Sequence, residues 1–196
     1  LVEMTHTGDL LSIRWVQTNT GLMKNQAHLR VNYFKAKQNP IEYSFHAPES
    51  EQSWDDKKIQ IGTHTLEKKE TQWRSNIHDN DFNLRLESVS IEDSVCQFQT
   101  EDWSVEILSL KAQDKGWIQS QKRSVSLKGD SFLIKHHGTK VDSNPHRSLL
   151  LQSSNLQVYY EDWGVFQYGC ARKNGILFPL SESMISWSDS GATLEI

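Results

Sequence analysis

The stretch AHLRVNY, residues 27–33, decides how this chain is read: Ala27, Leu29, Val31 and Tyr33 alternate with His28, Arg30 and Asn32. Successive side chains of a strand point to opposite faces, so a period of two lays the apolar residues on one face and the polar ones on the other. The same period recurs on either side. Leu11, Ile13 and Trp15 alternate with Ser12 and Arg14; Ile41, Tyr43 and Phe45 follow, then Ile59 and Ile61, Trp73 and Ile77, and Phe82, Leu84 and Leu86. No segment carries apolar residues at the 3.6 period over three helical turns. QNP (38–40), HAPES (46–50), HDND (78–81), KGD (128–130) and DSNPH (142–146) are the expected breaks between strands.

These patterns predict an all-β chain, a single domain over residues 1–196, with about a dozen strands. The strands should be mostly antiparallel, because parallel pairs need long helical crossovers that this sequence lacks. Strands in that number curl into a barrel or fold into two packed sheets. A lipocalin-like barrel is favoured over a two-sheet sandwich of jelly-roll type. The likeness is one of class alone, since the lipocalin Gly-x-Trp signature is absent near the start and DKGW (114–117) falls in another part of the chain.

Seven Trp, seven Phe and five Tyr among 196 residues are enough to build a sizeable core. No run approaches the roughly 20 apolar residues needed to span a bilayer, and LVEMTHTGDLLSIRW (1–15) lacks the basic flank and cleavage site of a signal peptide. Two cysteines, Cys96 and Cys170, could form one bridge or stay as buried thiols. The net charge of −4 argues against nucleic acid as a partner. Residues 111–147 nevertheless hold eight Lys/Arg against three Asp/Glu, together with His136, His137 and His146. That stretch is either an anion-facing patch or a set of solvated strand faces lying beside acidic ones.

Glu-Asp-Trp occurs twice, in TEDWSVEI (100–107) and YEDWGVFQ (160–167). A chain of this length offers about 19,000 tripeptide pairs against about 8,000 possible tripeptides, so the recurrence alone does not establish a repeat. The parity of the apolar positions carries more. Before the motif they are even (Cys96, Phe98; Leu156, Val158, Tyr160) and after it odd (Trp103, Val105, Ile107; Trp163, Val165). A strand changes faces only through an extra residue or a turn, so Glu-Asp should mark a bulge or reversal, with Gly164 free to take a positive φ.

Trp103, Tyr159, Tyr160 and Trp163 are candidate ligand contacts, because flat aromatic faces beside carboxylates suit sugars and planar ligands, although core packing uses the same residues. Trp117, Lys135 and His136 from the basic stretch complete the candidate set. His28, His46, His64 and His78 are expected on the polar faces of their strands. No Cys-x-x-Cys or His-x-His pair occurs, and no metal or cofactor is implied. Signatures of phosphate-binding loops, dinucleotide folds, serine hydrolases and zinc proteases are absent. Glu101, Asp102, Glu161 and Asp162 could serve acid-base chemistry if the fold brought them together. The leading expectation is a non-enzymatic domain holding a small amphipathic molecule or glycan by aromatic and a few polar contacts. An enzyme using carboxylate or His/Tyr chemistry and an accessory protein-interaction domain are the alternatives.

Overall fold

A computed structural model describes residues 2–6, 9–18, 25–90, 95–101, 103–121, 123–138, 147–164, 166–188 and 191–195, with the backbone alone for 2–6 and 138. The main sheet has twelve antiparallel strands. Its centre is a long hairpin of β11 (Trp103–Ser120) and β12 (Arg123–Gly138). On the β12 side lies a meander of β1 (Val2–His6), β2 (Asp9–Thr18), β3 (Gln26–Lys35) and β4 (Ile41–Ala47). On the β11 side a second meander runs outward through β9 (Phe82–Ser90), β8 (Gln72–His78), β7 (His64–Lys69), β6 (Lys58–Ile61) and β5 (Gln52–Trp54). The short β10 (Cys96–Gln99) pairs with the first half of β11. Among the described residues there is no α-helix, only the short 3-10 turns Glu49–Glu51 and Glu182–Met184, and hence no helix long and apolar enough to cross a membrane.

The sheet is strongly curled, and its two ends approach through side chains. Gln17 Nε2 donates to Gln52 Oε1 at 3.2 Å, Gln52 Nε2 to the Asn25 carbonyl at 2.8 Å and Asn25 Nδ2 to Glu49 Oε2 at 2.8 Å. Inside the curl the alternating residues form the first core: Leu11, Ile13, Ala27, Leu29, Val31, Ile61, Leu84 and Leu86 are all buried. Fully burying one such side chain contributes about 1.5–3 kcal/mol, which is what fixes the register of each strand.

A second sheet of β13 (Arg147–Gln152), β14 (Leu156–Asp162), β15 (Gln167–Lys173) and β16 (Ile176–Pro179) covers one end of the hairpin. On its far side lies the hairpin of β17 (Ile185–Ser188) and β18 (Gly191–Leu194). Strands β12 and β14 are consequently buried on both faces, as is β15, whose Cys170 and Ala171 enter different cores. In β12, Leu133 enters the first core while Phe132 and Ile134 enter a second. In β14, Tyr159 joins that second core while Val158 and Tyr160 enter a third. Register shifts between Ile107 and Ser109 and between Ser109 and Ala112 let β11 serve two cores.

Two sequence expectations are corrected. KGD (128–130) lies within β12, where Gly129 pairs with Asp114 across the hairpin. His64, expected on a solvent face, is 1% exposed. Parity does not carry through a reversal: the two-residue turn after Ile61 makes His64 its cross-strand partner, and partners share a face. The DSNPH break lies outside the described residues.

Candidate functional site

The first Glu-Asp-Trp segment sits at a chain reversal, as expected. For the second the expectation is corrected, because Glu161 and Asp162 stay in regular register within β14, whose odd and even apolar residues enter two different cores. In the first, the Thr100 amide donates to the Trp103 carbonyl at 2.7 Å and closes the β10–β11 hairpin. In the second, the reversal follows two residues later. Glu161 and Asp162 end β14, the Trp163 amide donates to the Phe166 carbonyl at 3.0 Å, and Gly164 takes φ +77°. Asp162 Oδ1 accepts the Gly164 amide at 2.8 Å and so fixes the turn.

The fold brings these hairpins side by side. The Trp103 and Trp163 ring centroids are 5.8 Å apart, Trp103 lies 5.7 Å from Phe166, and Trp163 stacks on Phe166 at 6.0 Å. Phe166 stacks on Tyr168 at 6.1 Å, and Phe98 approaches Tyr168 at 5.6 Å. Above this cluster opens a groove of about 320 Å³. Gln97, Phe98, Gln99, Thr100 and Trp103 form one wall, from the β10–β11 hairpin, and Phe166, Gln167 and Tyr168 form the other, from the β14–β15 hairpin. Among the described residues, four aromatic rings, three amides and the hydroxyls of Thr100 and Tyr168 line it, without a charged side chain.

Beneath the groove the polar atoms are sparse. The buried Glu161 carboxylate accepts Trp163 Nε1 at 3.0 Å and the Tyr168 hydroxyl. Burial, and then the Glu161 charge, pushes the Tyr168 hydroxyl far above its ordinary pKa, so it remains a neutral donor. His136 packs edge-on against Trp103 at 5.5 Å, and burial holds its imidazole well below the usual value, hence neutral at pH 7. Trp103 Nε1 and His136 Nε2 are sealed from solvent and have no hydrogen-bond partner among the described residues.

Of the seven candidates from the sequence, Trp103 lines the groove, and Trp163, His136 and Tyr159 belong to the cluster around it. Tyr160 is buried on the opposite face of β14, near Trp187. Trp117 stands at the far end of β11, 41% exposed. Lys135 is exposed and pairs with Asp56 at 3.2 Å. Two further lysines of the basic stretch are paired in this way: Lys111 faces Asp130 at 3.8 Å and Lys115 faces Glu87 at 3.4 Å. Among the candidate acids Glu101 is exposed, Glu161 and Asp162 are engaged as described, and Asp102 lies outside the described residues.

Sequence reasoning passed over Phe98, Phe166, Tyr168 and the glutamines, although a Phe-Gln pair flanks each motif, Phe98-Gln99 before the first and Phe166-Gln167 after the second. It also missed a relay at one end of the first core. The His78 amide donates to His64 Nδ1 at 3.2 Å, which leaves the proton on Nε2 facing the Tyr43 oxygen at 3.0 Å, and Tyr43 donates to Asp79 Oδ2 at 2.9 Å. Burial lowers the His64 pKa and keeps the imidazole neutral. Among the described residues no group of three His, Cys, Asp or Glu could hold a metal ion.

The chain is thus an all-antiparallel β protein with a curled main sheet and an aromatic groove between two hairpins. No protein-family model matches it, and no curated protein does. Among solved structures it is similar to a crystal structure from Nitrosomonas europaea of a protein provisionally named AttH. The TM-score is 0.65 and the identity 13%, over 94% of this chain and 68% of that one. At that identity the likeness shows a common fold.

Proposed function

We propose that this is a ligand-binding protein that holds a small uncharged amphipathic molecule, with glycans the preferred class, in the groove between the two Glu-Asp-Trp hairpins. The curled sheet acts as a lipocalin-like scaffold whose interior is packed, and the ligand is held at the side groove. The lining carries the reading: aromatic faces offer stacking area, and amide and hydroxyl groups offer neutral hydrogen bonds, the combination that sugars use. The absence of charge among the described lining residues disfavours anions and cations.

A thermal-shift screen tests the proposal. Neutral oligosaccharides, flat uncharged amphiphiles, fatty acids and anionic sugars are compared at matched concentrations. A neutral ligand at about 100 times its Kd should stabilise the fold by about 2.7 kcal/mol. Shifts produced only by the charged ligands would overturn the proposal.

A further inference from the structure

The two cysteines of this chain, far apart in sequence, meet in the second core. Cys96 begins β10 and is partly exposed, while Cys170 lies within β15 and is buried. Both are free thiols, and their side chains are within hydrogen-bonding reach of each other. β10 pairs with β11, and β15 pairs with β14 and β16, so no strand ladder joins β10 to β15. Yet these strands carry the two groove walls: Gln97, Phe98 and Gln99 follow Cys96 directly, and Gln167 and Tyr168 precede Cys170.

We propose that Cys96 and Cys170 form a reversible dithiol–disulfide site whose oxidation ties the main sheet to the second sheet directly beneath the groove. The entry point is Cys96, the more exposed thiol. Its thiolate is favoured by the hydrogen bond from Cys170 and then by the nearby Arg172 charge, whereas the Cys170 thiol is held protonated. The oxidant is a low-molecular-weight disulfide. Cys96 Sγ attacks one of its sulfurs, the external S–S bond breaks and one thiolate leaves, taking up a proton from solvent. Cys170 then loses its proton to solvent, and its sulfur displaces the second external thiolate from Cys96. Two protein thiols are oxidised to one disulfide, and one external disulfide is reduced to two thiols.

The test uses the full chain in buffers of reduced and oxidised glutathione, followed by non-reducing digestion and peptide mapping. The expected product is a single internal Cys96–Cys170 link that dithiothreitol reverses. In Cys170→Ser, Cys96 should instead accumulate a glutathione mixed disulfide, and in Cys96→Ser, Cys170 should stay unmodified while the protein is folded. The oxidised protein should melt at a higher temperature than the reduced one, a rise absent from Cys96→Ser. Wild-type protein that stops at the mixed disulfide, links between molecules or remains reduced under oxidising buffer would overturn the proposal. No ligand enters the experiment, so its failure is separate from failure of the ligand-binding reading.

Discussion

Asp114 sits in the middle of β11, facing the first core, 4% exposed. Ser131 donates to its Oδ1 at 3.0 Å, and Ser88 lies opposite on β9. Burial outweighs the serine hydrogen bonds and raises its pKa to about 7. An unfolded Asp titrates near 3.9, so between about pH 4 and 7 the folded state holds a proton that the unfolded state has released. Stability contributed by this group is therefore full below about pH 4, falls as the pH rises towards 7, and is absent above it. A shift of about three pKa units corresponds to roughly 4 kcal/mol between these limits. Asp114→Asn removes the titration and keeps an amide that can pair with the serines. Urea unfolding of both proteins at pH 5 and pH 8 measures the effect. The variant should gain on the wild type by about 2–4 kcal/mol on going from pH 5 to pH 8. The difference between the proteins is the relevant quantity, because His64 and His136, with lowered pKa values, oppose the trend by losing stability as the pH falls below about 6.5. Parallel pH profiles would refute the assignment of the buried proton to Asp114.

Other consequences follow from the packing. A Cβ on Gly169 would lie 2.5 Å from the Tyr159 carbonyl oxygen, so Gly169→Ala should destabilise the protein by about 1–3 kcal/mol or more in denaturant melts. Tyr43→Phe leaves the His64 Nε2 proton without its acceptor, and should cost about 1–3 kcal/mol by the same measurement. Trp117→Ala should leave ligand binding nearly unchanged, since the residue stands at the far end of β11, remote from the groove. A Trp103→Phe variant should keep the fold and weaken ligand binding, read by calorimetric titration.

The alternating strands were legible because each buries one face. Leu29 and Val31 go inward and Arg30 outward, and period two records that directly. β12 and β14 were harder to read, because SFLI (131–134) and VYY (158–160) are buried on both faces and so show no alternation. That is also why Tyr159 and Tyr160, adjacent in sequence, end in different cores. The groove was half legible. The parity change located the first reversal, whereas around the second motif it arose from burial of β14 on both faces. The meeting of Gln97–Trp103 with Phe166–Tyr168 depends on how the second sheet packs over the hairpin, which no local pattern encodes. His64 was misplaced because its face is set by the turn before it, and Asp114 was passed over because a lone acid in a strand leaves no periodic mark.

The indole N–H spectrum of 15N-labelled protein, titrated with a neutral glycan, tests the groove most directly. The chain has seven tryptophans, and Trp103→Phe assigns the groove signal by its disappearance. The Trp103 resonance should move with a saturable dependence on ligand, with a smaller shift at Trp163 and none at Trp15 or Trp117. Binding that moves Trp15 or Trp117 and leaves Trp103 in place would put the site elsewhere and contradict the groove.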